Sequence, residues 1–414
     1  MRAPLYSERS AQLFGPEAID DPHPLYARLR ARSGLSRVAD TGVHLVATWD
    51  LIDEVLGRDA DFSANLTGVL MRDESGQPTI FELPSNPASR VIATADDPRH
   101  AVHRSIAQPR LAARQAAKLE EPIRRWVREA LEAWLAAGGG DFVPVAELVP
   151  ARVVARVLGL PPADVPRFRR WAMMGGDILA GDIDRAGLVS LAVETRAMTE
   201  YLGTHLDAAR ERPRGDADAP LLHALAGAVD EARIGRDEAV GIASIMFGAG
   251  GESTAALIGS LVRGLAERPA VAEQLRRGPQ RIPRFVEEVA RLEPPFKFHY
   301  RAVRHACRLG GFELDRGDRL MLLWASANRD ATRIEHPDEM RLDRVHPKNH
   351  LSFGRGGHFC IGAPTARLEA RVVCEEFLSR AGHLALSEAS PPVYARSIFV
   401  RRLERLEVVA GAAR

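Results

Sequence analysis

The sequence has little cysteine and little lysine in its 414 residues. The cysteines are Cys307, Cys360 and Cys374, an odd number without a Cys-x-x-Cys pair. A disulfide framework and a cysteine-rich zinc site are therefore disfavoured, and a reducing cytoplasm is the expected compartment. Nearly all of the 56 basic residues are arginines, which we attribute to a coding or lineage bias and not to function.

A strong net charge and an N-terminal apolar segment are also missing. The 56 basic and 55 acidic residues give a formal charge of +1, so no nucleic-acid partner is expected. The first twenty residues lack the apolar core of a signal peptide or an anchor. Residues 239–262 are long and apolar enough for a membrane span, but they contain five glycines and Glu252 near their centre. A helix buried inside a soluble protein fits this pattern better.

The pattern along the chain predicts a mainly α fold with a minor β region. No repeat period and no long low-complexity linker interrupts it, so we predict one domain spanning residues 1–414. Its small β-rich part is expected mainly from about residues 35–62, 296–325 and 384–412. Residues 63–95 are rich in Pro, Asn, Ser and Gly and are predicted to form a long irregular loop.

One cysteine lies among four glycines in the stretch FGRGGHFCIG, residues 353–362. Cys360 precedes a predicted helix, and the unpaired N–H groups of a helix N-terminus favour a thiolate. The glycines would let the backbone curl under a flat cofactor and direct N–H groups at the sulfur, with Arg355 and His358 as positive partners. A lone cysteine is more often a buried structural residue, which is our interpretation of the other two.

An acid and two hydroxyls lie inside the long apolar helix, in the stretch AGGEST, residues 249–254. Such groups are costly in an apolar environment unless they have partners. A structural kink is one explanation, because Ser and Thr can bond back to a carbonyl one turn earlier. A proton relay is the other, in which Gly250 and Gly251 let the helix open and Glu252 passes protons inward.

The stretch around Cys360 resembles the cysteine-ligand loop of the cytochrome P450 family. The matching positions are Phe353, Gly354, Gly356, His358, Cys360 and Gly362. The resemblance implies the cytochrome P450 fold, one haem b per chain, and Cys360 as the axial thiolate ligand of the iron, which favours O–O cleavage. AGGEST resembles the family's distal-helix motif, with Ser253 where threonine is usual, so either Ser253 or Thr254 could gate proton delivery.

The resemblance also implies residues that hold the cofactor and a structural ion network. Haem propionates need cations or hydrogen-bond donors. The residues at the family's propionate-binding positions are His100, Arg104, Arg301 and His358. Glu288 and Arg291 match the family's Glu-x-x-Arg motif, with Arg344 as the third member, although helical spacing alone indicates a modest surface salt bridge.

The implied activity is that of a haem-thiolate monooxygenase that uses dioxygen, because peroxide-driven members typically lack the acid–alcohol pair. With no flavin or iron–sulfur domain in the chain, electrons would come from a ferredoxin and a ferredoxin reductase. These partners are expected to dock on the face of Cys360, where a basic patch is predicted. The patch consists of Arg104, Arg110, Arg114 and Arg355. We expect a cytoplasmic monomer without a membrane anchor.

The substrate is expected to be small and lipophilic, and a sterol, fatty acid, terpenoid or polyketide would each fit. By family position, the pocket draws on residues 63–95, 173–179, Phe247, 296–299 and 398–399. Lys297 or His299 could hold a polar end of the substrate, or either could be exposed to solvent.

Other functions stay open. One is a non-catalytic haem-thiolate sensor or binding protein, and another is a peroxide-driven peroxygenase. The acid and hydroxyls of residues 252–254 argue against both. A zinc site using His358 and Cys360 is weaker, because their spacing suits no common structural zinc motif.

Overall fold

The computed structural model describes residues 2–6, 10–84, 86, 89–211 and 218–412. Both ends of the predicted 1–414 domain, and positions 85, 87 and 88 of the 63–95 segment, lie outside the described residues. Helices account for 54% of the structure and strands for 14%, which confirms the mainly α fold with a minor β region.

The long helices follow the amphipathic and apolar patterns of the sequence. In chain order they are α1 (Pro16–Asp20), α2 (His23–Arg32), α3 (Trp49–Leu56), α4 (Arg99–Leu111), α5 (Ala113–Ala117), α6 (Glu120–Ala136), α7 (Val143–Leu158), α8 (Val165–Met173), α9 (Arg185–Arg210), α10 (Leu221–Asp230), α11 (Arg236–Met246), α12 (Ser253–Glu267), α13 (Pro269–Arg277), α14 (Ile282–Leu292), α15 (Trp324–Ala327) and α16 (Ala363–Arg380). A π-helical segment, Phe247–Glu252, joins α11 to α12.

The strands are short and most lie in small sheets. They are β1 (Leu5–Tyr6), β2 (Leu35–Val38), β3 (Val43–Val46), β4 (Phe62–Ser63), β5 (Gly68–Arg72), β6 (Pro78–Glu82), β7 (Gly139–Asp141), β8 (His299–Val303), β9 (Cys307–Leu309), β10 (Phe312–Leu314), β11 (Arg319–Leu322), β12 (Ala381–Leu386), β13 (Val393–Tyr394), β14 (Leu403–Arg405) and β15 (Glu407–Ala412). The largest sheet has the order β1-β2-β3-β11-β8-β4, and a second has the order β12-β15-β7.

Residues 63–95 are more ordered than the sequence predicted. The prediction of an irregular loop is wrong for the first half, where β5 and β6 pair as an antiparallel hairpin. The Asp73 carboxylate accepts hydrogen bonds from the backbone N–H groups of Ser75 and Gln77, both at 2.9 Å, and Gly76 has a φ of +81°. The turn residues that suggested an irregular loop therefore close a tight hairpin. The side chain of Leu70 is buried in the protein interior.

The helix from Arg236 to Glu267 runs through the middle of the protein. Its length and composition would allow it to cross a membrane, but 72% of its most apolar 18-residue stretch is buried inside the protein. α12 packs against α7, α14 and α16 around the largest hydrophobic cluster. The centre of this helix and the start of α16 form opposite walls of the candidate site.

A buried ion network braces the chain before α16. The Glu288 and Arg291 side chains are 0% and 1% exposed, so the pair is not the surface salt bridge that spacing alone indicated. Arg291 Nε and Arg344 Nε each donate to Glu288 Oε1 at 2.8 Å. Arg291 also donates to the carbonyl oxygens of Asn328 and Glu339. The network therefore ties α14 to residues 328–344.

The Glu288→Gln variant should be much less stable than the wild type. It removes the carboxylate that balances two guanidinium groups, and an uncompensated buried charge costs about 3–5 kcal/mol. Equilibrium urea denaturation followed by circular dichroism measures the difference. Glu200→Gln, in the exposed i,i+4 pair with Arg196, is the control and should cost about 0.3–0.5 kcal/mol. Equal losses in the two variants would contradict the assignment.

Candidate active site

The loop before α16 takes its shape from glycine. Gly354 and Gly356 have φ values of +67° and +70°, a conformation that side chains with a Cβ rarely adopt. The loop then folds back, so that the N–H of Cys360 donates to the carbonyl oxygen of Phe353 at 2.8 Å. This closed turn presents Cys360 three residues before the first residue of α16.

The Cys360 sulfur lies among groups that favour its ionised form. Burial raises the pKa of the thiol, whereas the backbone N–H groups of Gly362 and Ala363 and the charges of Arg367 and Arg104 lower it. The N–H groups of the helix N-terminus therefore oppose the effect of burial, but the net shift of the Cys360 pKa is upward. The cations differ from the prediction, because Arg355 pairs with an exposed carboxylate and His358 is neutral.

A central cavity separates the Cys360 loop from the long helix. The cavity has a volume of about 250 Å³, and its lining is mostly apolar. Of the predicted site residues, those that line it are His100, Arg104, Gly250, Ser253, Thr254, Arg301, Phe353, His358, Cys360 and Gly362. Glu252, which was predicted to be catalytic, does not line this cavity.

The long helix opens where the sequence predicted that glycine would allow it. Residues 247–252 form a π-helical turn, a feature that is common at functional sites. A Cβ at Gly251 would lie 2.5 Å from the Cβ of Ala172, so glycine lets α8 approach the turn closely. The wider turn places Gly250, Ser253 and Thr254 on the cavity wall.

Glu252 points away from the cavity and is fully buried. Its Oε1 accepts from Arg402 Nε at 3.2 Å, and its carboxyl also lies beside the backbone N–H of Gly176. Burial raises the pKa of Glu252 to about 8, against the opposing charge of Arg402. The carboxyl is therefore protonated at neutral pH.

The two hydroxyls next to Glu252 face the cavity. Ser253 Oγ donates to the carbonyl oxygen of Ala249, one turn earlier, as expected for a serine in a distorted helix. Thr254 is 3% exposed and also lines the cavity. The acid and the hydroxyls thus lie on different sides of the same helix.

Cationic and imidazole groups gather at one edge of the cavity. The rings of His100 and His358 stack with centroids 3.9 Å apart, and His100 Nε2 is buried without a hydrogen-bond partner in the described ranges. Arg104 donates to the carbonyl oxygen of Phe359 at 2.9 Å. Arg301, 8% exposed, donates to the carbonyl oxygen of Tyr300. This edge suits the anionic groups of a bound ligand.

The histidines of the cavity are neutral. Burial and the charge of Arg301 lower the pKa of His358 to about 3 and that of His299 to about 4. His299 Nδ1 accepts from Trp324 Nε1 at 2.6 Å, and an indole N–H can only donate. The proton of His299 therefore lies on Nε2, and His299 lines the cavity.

Several residues predicted to line the pocket are elsewhere. Lys297 is 1% exposed and donates to the carbonyl oxygen of Ser397, outside the cavity lining. Phe247 packs on Phe168 and Trp171 of α8. Residues 173–179 and 398–399 also do not line the cavity, whereas Ile92, Ala93, Phe296 and His299 do.

Two polar residues of the site were missed from the sequence. Thr365 and Glu369 lie one turn apart on α16 and line the cavity. Thr365 Oγ1 and Glu369 Oε2 are buried and lack hydrogen-bond partners among the described residues. Burial raises the pKa of Glu369 well above its ordinary value. Their i,i+4 spacing in the helix after Cys360 was the available signal.

Comparisons with known proteins all lead to one family. A sequence model described as Cytochrome P450 matches residues 204–401. Cytochrome P450 144 of Mycobacterium tuberculosis is 39% identical over 404 residues, covering 95% of this chain and 90% of that protein. Erythromycin C-12 hydroxylase of Saccharopolyspora erythraea is 33% identical over 346 residues, covering 82% of this chain and 85% of that protein.

The fold is similar to those of solved structures from the same family. The structure of CYP109E1 from Bacillus megaterium in complex with testosterone superposes with a TM-score of 0.82 at 26% identity. The superposition covers 97% of this chain and 99% of that one. The similarity therefore extends far beyond the Cys360 loop.

Proposed function

The chain belongs to the cytochrome P450 family and is a haem-thiolate monooxygenase, and we propose that it activates dioxygen with electrons from separate redox partners to oxygenate a small lipophilic substrate. Its membership confirms the resemblance drawn from the Cys360 loop. The relatives include a hydroxylase and a monooxygenase, so the comparisons support an enzyme and give no support to a non-catalytic sensor.

Haem b is the cofactor of this family, and the residues around the cavity fit it. The proposed axial ligand is Cys360, flanked by Phe353 and Gly362, and the observation that supports it is the set of N–H groups directed at its sulfur. The proposed partners of the propionates are His100, Arg104, Arg301 and His358. Buried Arg301 supports this, since its guanidinium group needs an anionic partner. When bound, haem b supplies a redox-active iron whose thiolate ligand favours O–O cleavage.

Proton delivery is proposed to begin at Glu252 and to end at the cavity. The protonated carboxyl of Glu252 lies on the Arg402 side of the long helix, whereas the hydroxyls of Ser253 and Thr254 lie on the cavity side. A proton would pass from the acid through water to one of the two hydroxyls, and Gly250 leaves space beside them. The high pKa supports this role, because a carboxyl that holds a proton at neutral pH can donate it.

The substrate is proposed to be a lipophilic compound with a hydrogen-bond acceptor. The lining near the hydroxyls includes Ile92, Phe296 and Met246, which favour an apolar body, and His299 offers an Nε2–H donor. The two relatives named above act on erythromycin or hold testosterone, and both compounds combine apolar surface with oxygen acceptors.

Electrons are proposed to come from a ferredoxin and its reductase, in the cytoplasm. Arg114 is exposed on α5 and Arg355 is exposed in the Cys360 loop, where Phe359, next to Cys360, is 41% exposed. Arg104 is engaged with the carbonyl oxygen of Phe359, so it belongs more to the loop than to the surface patch. A patch of this kind suits an acidic partner protein.

Replacing Cys360 by serine tests the ligand. The reduced wild type with carbon monoxide should show the strongly red-shifted Soret band of thiolate ligation, and Cys360→Ser should lose that band. Cys307→Ser, which changes a half-buried cysteine on β9, is the control and should keep it. A wild-type spectrum typical of a neutral proximal ligand would contradict the proposal.

Replacing Glu252 by glutamine tests the proton relay. Turnover with dioxygen should fall by roughly 10²-fold to 10⁴-fold, because the glutamine amide cannot act as the proton donor. Since the pKa of Glu252 is about 8, wild-type turnover should decline as the pH rises through 8, and the residual turnover of Glu252→Gln should not follow that decline. Product and hydrogen peroxide are measured together.

Alanine variants of Ser253 and Thr254 assign the hydroxyl in the same assay. The variant with the larger loss of product per electron identifies the gating residue. An unchanged rate in Glu252→Gln would instead favour peroxide-driven chemistry, the remaining alternative.

Charge reversal tests the docking face. The double variant Arg114→Glu, Arg355→Glu should be reduced by a ferredoxin about 10-fold or more slowly, since electrostatic steering contributes 10-fold to 10³-fold to such rates. Arg196→Glu, on exposed α9, is the control. Stopped-flow reduction at several salt concentrations measures the effect, and unchanged rates with unchanged salt dependence would exclude this face.

Spin-state titration tests the substrate class. Wild type and His299→Phe are each titrated with testosterone and with erythromycin. The variant loses the Nε2–H donor and keeps a ring of similar shape that is apolar. Weaker binding to the variant is expected for any ketone that shifts the spin state. A response confined to small polar compounds would rule out the lipophilic class.

A further inference from the structure

We propose that Arg367 and Glu287 form a charge-balanced support for Phe353, in which each charge keeps the other from shifting the reduction potential of the iron that Cys360 would hold. The inference rests on the proposed ligation by Cys360 and adds positioning residues that act through Phe353. Neither residue belongs to the cavity lining or to the buried Glu288 network.

Arg367 reaches the Cys360 loop from the start of the second turn of α16. Its guanidinium carbon lies 4.3 Å from the centroid of the Phe353 ring, within the range of a cation–π contact. Phe353 lines the cavity on its other side, and its carbonyl oxygen accepts from the N–H of Cys360 at 2.8 Å. A shift of the guanidinium would therefore move both the aromatic wall and the backbone that holds the sulfur.

Glu287 holds Arg367 in this position. Arg367 Nε donates to Glu287 Oε1 at 2.6 Å, and Arg367 Nη2 donates to Oε2 at 3.0 Å, so the pair is bidentate. His350 Nε2 lies 3.0 Å from the same Oε2, and the His350 ring lies 5.9 Å from the Phe353 ring. Glu287 of α14 therefore holds both Arg367 and His350, the two side chains that lie against the Phe353 ring.

The carboxylate of this pair stays ionised. Glu287 is 4% exposed, and although burial opposes it, His350 and Arg367 lower its pKa to about 2. Arg367 is 23% exposed at its side chain and carries its charge throughout the physiological range. One negative and one positive charge therefore lie together behind the Phe353 ring.

Opposite charges at this position act oppositely on reduction. Adding an electron near a positive charge is favoured, and adding it near a negative charge is disfavoured, more strongly where water is excluded. With both partners present their effects largely cancel. Removing one partner exposes the charge of the other, which a purely structural brace would not do.

The test is the reduction potential of the haem-loaded protein. Glu287→Gln leaves the charge of Arg367 unbalanced and should raise the potential, whereas Arg367→Gln leaves Glu287 unbalanced and should lower it. Arg367→Lys keeps the charge and should remain near the wild type. Spectroelectrochemistry of the haem-loaded wild type and variants measures these potentials.

Arg371→Gln is the matched control. Arg371 is one turn further along α16 and pairs with Glu120 and Glu375 instead of contacting the loop. Its loss should leave the potential unchanged. Shifts of the same sign in Glu287→Gln and Arg367→Gln, unchanged potentials in both, or an equal shift in Arg371→Gln would overturn the inference.

Carbon monoxide difference spectra separate this inference from the ligand assignment. If the wild type lacks the thiolate Soret band, the ligation by Cys360 fails and the inference fails with it. If the wild type and both variants keep the band while their potentials are equal, only the role of Arg367 and Glu287 is refuted.

Discussion

Ionising a cysteine sulfur inside an apolar cavity is costly, and the structure around Cys360 offsets part of that cost at short range. Burial raises the pKa of the thiol, and the N–H groups of Gly362 and Ala363 oppose the rise. Those N–H groups are available because they lie at the start of α16 and have no partners within the helix. The loop can bring the sulfur to that helix end only because Gly354 and Gly356 adopt positive φ values.

Two neighbouring acids on α14 extend this support in different directions. Glu287 binds Arg367 and His350, which contact the Phe353 ring, whereas Glu288 binds Arg291 and Arg344. Buried charges persist only when they are paired and hydrogen-bonded. The two pairs therefore act as a rigid frame, one for the Cys360 loop and one for the chain that precedes it.

The opposite wall of the cavity holds a buried acid and two hydroxyls on different sides of one helix. The π-helical turn places Ser253 and Thr254 on the cavity, while the carboxyl of Glu252 stays buried beside Arg402. The close approach of Ala172 to Gly251 keeps α8 packed against this turn. A single buried helix can place the carboxyl and the hydroxyls on different sides because adjacent residues point in directions about 100° apart.

Local patterns in the sequence were sufficient for a large part of this description. The glycine spacing around Cys360, the AGGEST stretch, the i,i+3 pair of Glu288 and Arg291, and the mainly α character all depend on residues that are close in the chain. Turn chemistry also operates locally. The hairpin at residues 68–82 is hard to predict because its strands are short and the Pro, Ser and Gly residues around them are typical of loops.

Tertiary structure alone decided which distant groups meet. Arg402 lies 150 residues from Glu252, and Glu287 lies 80 residues from Arg367, so no local pattern pairs them. The same holds for Trp324, which fixes the proton of His299, and for the direction of the Glu252 carboxyl, which depends on the π-helical turn. Sequence determined which chemical groups this protein carries and how they are spaced, and packing determined their partners, because a side chain's burial and charge depend on neighbours that only the folded chain brings together.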